Sequence, residues 1–326
     1  WNLKTTTLYS WSLFVQRDLG RSIIASVGYV GNQGRHIMQQ KNVNQLPYGI
    51  RFLASSADPT NPATPLPDNF LRPYRGYGSI LYFEDRGISN YNALQMSVDR
   101  RFTGSFSFGL GYTWSKAMDD GTSIPTYLDN RWRNYGMSSN DRTHVLSINF
   151  TYALPKLGKV APHPVIRQIF DGWMLSGIGQ FASGAPTGLS FSTVTSVDLT
   201  GGGDGQRVNL TGPVVLGRSE RGFFRWFRTE NVALPGKGDV GNAPVVVYRG
   251  PGTNNWDLTA FKDFRIKENV KFTLRWEAYN AFNHTQWSTV NSAARFDAQG
   301  RQVNSLFGQV TAARTPRVMQ GSLRFQ

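Results

Sequence analysis

The sequence predicts an all-β chain: an antiparallel transmembrane β-barrel wall with long loops on one side. Three observations predict it. Long segments alternate large apolar and small or polar residues with a period of two. The connections between them alternate short and long. Charged residues make up 17% of the chain, against about 25% in a typical soluble domain. Residues 105–115 show the alternation best. Phe106, Phe108, Leu110, Tyr112 and Trp114 share one face, and Ser105, Ser107, Gly109, Gly111, Thr113 and Ser115 share the other. A helix would scatter this pattern. Strands of soluble sheets run to roughly 5–6 residues, whereas a membrane-spanning strand needs about 9–11.

The same alternation recurs along the chain. Residues 7–17 and 22–32 form a hairpin, with Tyr9, Trp11, Leu13 and Val15 on one strand and Ile23, Ala25, Val27 and Tyr29 on the other. Its turn falls at Asp18-Leu19-Gly20-Arg21. Residues 33–88 read as a long irregular loop with six prolines and a short strand at Ile80 to Phe83. Residues 90–102 place Leu94, Met96, Val98 and Phe102 together, then turn at Thr103-Gly104 into the 105–115 strand. Residues 117–140 form a polar, aromatic loop. Residues 141–154 alternate cleanly through Leu146, Ile148, Phe150, Tyr152 and Leu154. Residues 155–171 connect to a weaker strand at 172–184. Residues 185–254 read as an irregular Gly- and Pro-rich loop. Residues 255–266 and 270–283 make a second hairpin across Lys267-Glu268-Asn269. After a loop at 284–315, a last strand runs to Phe325.

This gives about nine strands. The connections 18–21, 103–104, 155–171 and 267–269 are short, and 33–88, 117–140, 185–254 and 284–315 are long. Outer-membrane barrels place short turns on the periplasmic side and long loops outside. The first and last strands both run toward the short-turn side. An odd strand count does not close a single-chain barrel, so two edges await further strands. The chain opens at Trp1 without an initiator Met. The whole of residues 1–326 reads as the C-terminal portion of one barrel domain, its earlier strands lying upstream.

Composition narrows the function. There are no cysteines, which excludes disulfides and thiolate metal sites. The net charge is 35 − 21 = +14, but Lys and Arg are scattered over the loops. That distribution argues for anionic lipid and lipopolysaccharide contact over nucleic acid. His36, His144, His163 and His284 lack metal-site spacing, and Gly201 to Gly205 lacks a P-loop Lys and reads as a flexible loop. No nucleophile elbow appears. The chain is read as no enzyme, with no cofactor.

Two sets of residues are candidates for function. Arg131, Trp132, Arg133 and Tyr135, with Arg225, Trp226 and Arg228, are aromatic-basic clusters on long loops, suited to stacking on and pairing with a ligand. Loop-to-loop packing is the competing use. Asp99, Arg101, Asp257, Arg275 and Glu277 fall on the inner, polar face of the strands. Charges there are costly in a dry core and ordinary in a wet barrel lumen. Cross-strand pairing competes with contact to a plug inside the barrel.

Several short motifs, in this order, carry a family resemblance. They are Tyr91-Asn92-Ala93-Leu94-Gln95, Tyr112-Thr113-Trp114-Ser115-Lys116-Ala117 and Asp141-Arg142-Thr143-His144-Val145. Gly250-Pro251-Gly252 with Asn255-Trp256-Asp257-Leu258, Phe272 to His284 and Pro316-Arg317 follow. The chain resembles the barrel of TonB-dependent outer-membrane receptors, most of all the Oar-like branch. The resemblance implies a 22-stranded barrel with an upstream plug, of which these strands are the last nine. It also implies the TonB system as a partner acting through that plug, and energised uptake of a nutrient. The substrate, a small molecule or oligosaccharide, stays open. A membrane anchor displaying binding loops and a soluble β-rich carbohydrate-binding protein are the other readings.

Overall fold

The computed structural model describes residues 4–121, 133–156, 164–203, 205–267 and 270–325. Nine long strands pair in sequence order as one antiparallel meander. They are β1 (Thr7–Gly20), β2 (Ile23–Asn42), β3 (Leu81–Thr103), β4 (Phe106–Asp119), β5 (His144–Ala153), β6 (Trp173–Ala182), β7 (Thr253–Lys267), β8 (Val270–Tyr279) and β9 (Val318–Phe325). A two-residue strand, Gly136–Met137, adds to the end of β4. Among the described residues β1 pairs only with β2 and β9 only with β8, so the sheet is an open wall.

Register explains how the alternation becomes two faces. Leu13 faces Tyr29, Tyr29 faces Leu94, and Leu94 faces Trp114. Two rows lower, Leu110 faces Ile148 and Ile148 faces Gly179. Farther along, Ala260 faces Trp276 and Trp276 faces Gly321. One apolar face therefore runs unbroken from β1 to β9. Its small residues lie under large ones. A Cβ on Gly31 would meet the Trp11 indole, and one on Gly179 would meet Trp256. Many side chains of this face are exposed, among them Leu13 at 72%, Trp114 at 55% and Leu323 at 69%, which in water would be a large uncovered patch and in a bilayer faces hydrocarbon.

Both ends of the apolar face carry aromatics, as interfacial belts do. Phe106 meets Tyr152 edge-on at 6.0 Å, and Phe264 stacks on Phe272 at 4.6 Å, beside the short turns. Toward the long loops Phe181 meets Trp256 at 5.7 Å, and the Tyr112 hydroxyl and His144 Nδ1 share a hydrogen bond of 2.8 Å. The β1–β2 turn closes on Arg21 and Ser22, whose φ values of 53° and 62° are those of a primed hairpin turn.

Three boundaries differ from the sequence reading. The second and third strands are 20 and 23 residues long, so the loop expected at 33–88 shrinks to 43–80. Met38 to Asn42 pair with Asp85 to Leu81 beyond two register shifts. Here the covered face is filled by a polar residue, Gln39, which is 1% exposed and donates to Gly121 O at 2.7 Å, so the stretch Gln39-Gln40-Lys41 shows no apolar alternation. The 155–171 connection contains a helix, α1 (Pro164–Phe170). Its last carbonyls have no helical partners of their own. Lys262 Nζ donates to Gln168 O, and Trp173 Nε1 donates to Ile169 O at 2.9 Å. Lys262 and Trp173 are register partners on the apolar face, so α1 lies against the outside of the wall, at its short-turn end.

The third difference is the largest. The loops expected to be irregular at 185–254 and 284–315 are instead largely ordered: the described residues between 183 and 252 and between 284 and 317 fold together into a loop cap with its own core. Ser190–Thr193 pairs in parallel with Ala293–Phe296, and Trp287–Val290 pairs with Val310–Ala313. Between them Phe227 and Val208 are fully buried and Phe296 is 1% exposed. The Phe227 ring lies 4.7 Å from Tyr248 and 5.2 Å from Phe307. The loop 43–80 docks on this cap. Gly201, Gly202 and Gly203 form the seam, with φ of 65°, 114° and 86°. A Cβ on Gly201 would fall 2.6 Å from the Phe52 ring, and one on Gly202 2.9 Å from Leu46. The glycine run, expected to be a flexible loop, is a close-packed contact. Arg51 locks the seam with bonds of 2.7 Å to both Asp68 and Asp198.

Two outcomes follow from this packing. Phe227→Ala removes a fully buried ring and costs the cap about 3–5 kcal/mol. Protease cleavage within 183–252 should then rise sharply, while heat-modifiable migration of the assembled barrel on gels stays unchanged. The second outcome is a pH dependence. Burial alone would raise the Asp198 carboxyl, but hydrogen bonds from Arg51, Thr200 and the Gly201 N–H outweigh it and hold the group below its ordinary value. A depressed carboxyl contributes stability above its unfolded pKa and loses it as pH falls through the folded value. The exchange protection factors of residues 48–53, corrected for intrinsic rates, should therefore be high at neutral pH and fall below about pH 4, and Asp198→Asn should remove that acid dependence.

Candidate functional site

The candidate site is the region where the cap meets the wall. Arg133, Tyr135, Arg225, Trp226 and Arg228 fall on described residues, whereas Arg131 and Trp132 lie outside them. The structure separates the two clusters.

Arg133 and Tyr135 border two adjoining clefts. The first, of about 610 Å³, lies between Arg133, Asn209, Asp239 and Asn242. The second, of about 470 Å³, takes in Arg133, Tyr135, Lys116, Arg207 and Pro244. Arg133 and Asn242 belong to both. The backbone here is held by Arg207, whose Nη1 donates to Arg133 O at 3.0 Å and to Ala243 O at 3.3 Å. Its Nη2 donates to Asn134 Oδ1 at 2.5 Å. The Asp239 carboxyl is held below its ordinary value. The Asn209 side-chain amide does most of this against the opposing effect of burial, and the Arg133 charge adds to it.

The second cluster is committed to the cap's own structure. Trp226 is 9% exposed, meets Trp287 edge-on at 5.8 Å and donates from Nε1 to Arg249 O at 2.8 Å. Arg225 pairs with Glu230, and Arg228 with Glu220 at 3.3 Å. The structure thus packs the Trp226 ring, expected to face a ligand, within the cap. An apolar ring amid Val, Phe and Trp neighbours is worth more buried than wet, and loop packing, the competing use, accounts for it.

The polar face of the wall carries one ion pair among the predicted residues, with the other charges met by amides or water. Arg275 Nε lies 3.2 Å from Glu277 Oε1, and Gln320 Nε2 donates to Glu277. Asp257 Oδ1 accepts from Asn255 Nδ2 at 2.8 Å and from the Asn280 N–H at 2.9 Å. Asp99 lies beside Gly109 and Asn149, where a Cβ on Gly109 would come within 2.9 Å of its carboxylate. Arg101, near the β3–β4 turn, is exposed. These contacts are local or cross-strand.

A third cleft escaped the sequence reading. It measures about 390 Å³ and lies between Arg142, Arg314, Ser183, Thr187, Tyr248, Thr253, Ser292 and their neighbours. Its floor is the rim of the wall, where Thr253 pairs with Ala182 and Ala182 with Val145. Arg142 lies inside one of the quoted motifs, but nothing in the sequence joins it to Arg314. Beneath the cleft, Asp141 anchors the rim. Its carboxylate accepts from the Ala117 N–H and pairs with Arg249, whose Nη1 donates to Gly184 O at 3.1 Å.

Comparison with known proteins agrees with the wall. No curated protein matches the chain in sequence. Among solved structures the chain is similar to the outer membrane transporter YddB from Escherichia coli, at 10% identity and a TM-score of 0.48, over 99% of this chain and 33% of that one. It is also similar to the FrpB iron transporter from Neisseria meningitidis, at 11% identity and a TM-score of 0.47, over 100% and 32%. The ferric-catecholate import receptor Fiu from E. coli K12 follows at 10% identity and 0.42, over 100% and 28%. The chain thus spans about a third of the length of each. Residues 1–320 match the family described as an outer membrane beta barrel domain, and since the match takes in nearly the whole chain, this protein belongs to that family of the bacterial outer membrane.

Proposed function

We propose that the nine strands are one stretch of the barrel of a TonB-dependent receptor, and that the protein takes up a nutrient by energised transport. The observation that carries this reading is the two-faced wall. Its outer face is continuous and apolar, and its inner face bears Asp99, Asp257, Arg275 and Glu277. Ion pairs on an inner face need water or another polar body beside them. A lumen wide enough for both belongs to the large barrels with plugs. The open edges of β1 and β9 support further strands, because an unpaired edge in hydrocarbon leaves backbone groups unmet. The motifs resembling TonB-dependent receptors, of the Oar-like kind, support a plug and energy delivered through TonB. Lipopolysaccharide and lipid surround the wall, and the loop cap with the Arg133–Tyr135 clefts is the capture surface. The folded cap equally suits a membrane anchor that displays a binding surface without transport.

Growth competition separates the two readings. Strains with and without the gene are grown together on a panel of scarce carbon and iron sources, each in the presence and absence of TonB. Uptake predicts an advantage on at least one source that vanishes without TonB. An advantage that persists without TonB, or none on any source, overturns the uptake reading. A finer outcome concerns the capture surface. Arg133→Ala with Tyr135→Ala, or Arg131, Trp132 and Arg133 together replaced by Ala, should cut that advantage by about tenfold in apparent affinity, with the protein still reaching the outer membrane in normal amount.

A further inference from the structure

The third cleft carries a chemistry that neither the wall nor the capture clusters explain. Its charged lining consists of Arg142 and Arg314, with no carboxylate among the lining residues. Seven hydroxyl side chains share it: Ser183, Thr187, Tyr248, Thr253, Ser288, Thr289 and Ser292. At about 390 Å³ it falls within the roughly 300–1,000 Å³ of small-molecule sites.

Tyr248 is the telling residue. It is 4% exposed, its ring packs in the cap core tilted against Phe227, and its hydroxyl makes no hydrogen bond. Buried hydroxyls are nearly always bonded, and leaving one unmet is costly. Burial pushes this phenol up to about 12, so it is a donor at neutral pH. The hydroxyls of Ser292 and Thr187 lie close enough to favour its ionised form slightly, though not in bonding geometry. Both belong to the cleft wall.

Arg314 is exposed. Its backbone N–H is fixed by Gln286 O at 2.7 Å, and Gln286 in turn donates to Asn255 on the polar face of the wall at 2.9 Å. The cleft is thereby tied to the lumen side of the rim. Arg142 is held by its Nη1, which donates to Asp141 O at 2.7 Å and Ser139 O at 3.1 Å. Nη2 carries two further donors in the same plane. The one buried carboxylate nearby, Asp141, is already paired with Arg249, so it does not cancel the two cleft arginines.

We infer that this cleft binds a small hydroxylated oxyanion of the sugar-acid class, its carboxylate on Arg314 and Arg142 and its hydroxyls on the Ser, Thr and Tyr248 wall. The physiological sense of the site rests on the receptor reading above, but binding is measured apart from uptake.

The test uses the full-length protein in detergent micelles, titrated calorimetrically with D-glucuronate at low salt and with D-glucose as the neutral control. Glucuronate should bind saturably, and glucose at least about tenfold more weakly, since an arginine–carboxylate pair is the strong class of contact. Arg314→Ala should weaken glucuronate about tenfold and leave glucose unchanged. Tyr248→Phe removes a hydroxyl that the empty cap leaves unmet, so it should weaken binding without lowering the thermal stability of the cap. Absence of saturable glucuronate binding, equal binding of glucose, or binding indifferent to both variants overturns the site. Binding without a TonB-dependent growth advantage overturns the uptake reading alone, and the reverse result overturns the cleft alone.

Discussion

Hydrocarbon offers no hydrogen-bond partner, so every backbone N–H and C=O within it must be met by the chain itself. The wall follows from that constraint. Its strands pair in sequence order with continuous register through the bilayer zone, and most register shifts fall near turns or beyond the apolar band, as at Asp18/Gly20 and Gly34/Ile37. Even the lysine on the apolar face obeys it. Lys262 has 4% exposure, its ammonium bonds the Gln168 carbonyl, and it lies 4.7 Å over the Phe264 ring. A helix end and a cation, each costly alone against lipid, satisfy one another.

Above the apolar band water returns, and the chain is free to leave the sheet. What then keeps the cap in place is a second kind of interaction, the buried pair of Asp141 and Arg249. Asp141 has no exposed side-chain surface, whereas Arg249 retains a quarter of its own. Removing one partner of such a buried pair costs about 3–5 kcal/mol, because the other is left charged and unmet. The pair joins the end of β4, through the Ala117 N–H, to the entry of β7, through Arg249 and Gly184. It stands at the joint between a wall stabilised by lipid and a cap stabilised by its own core.

That division explains which parts of the fold were legible in the sequence. Lipid on one side and water on the other force a period of two, so Phe106 to Trp114 and Leu146 to Tyr152 announce their strands and their faces. The extension of β2 and β3 past Gly34 was not legible, because its covered face is filled by a polar residue, Gln39, and no apolar alternation marks it. The cap was hidden for a different reason. Val208, Phe227, Tyr248, Phe296 and Phe307 are far apart in sequence, set among glycines and prolines, and no local period marks them as one core. Residue type alone singles out Arg133, Tyr135 and Trp226, and the structure places the first two beside clefts and the third inside the cap, since an aromatic beside two arginines reads identically whether it faces a cleft or a core. The glycines at 201–203 mislead likewise: composition signals freedom, while the structure uses their missing side chains for contact.

The separation of wall from cap has a mechanical consequence. The wall gains stability from an outer face that never leaves lipid and from backbone pairing along its length. The cap gains it from some thirteen buried side chains and from seams such as Arg51 with Asp68 and Asp198. These contributions share few residues, and effects at sites without shared partners are close to additive. The loops can therefore vary in sequence, dock differently or open around a ligand without loosening the barrel beneath. A wall fixed in lipid and a cap with its own core, joined at the Asp141–Arg249 pair and at contacts such as Gln286 with Asn255, let the outer surface vary while the barrel strands stay in place.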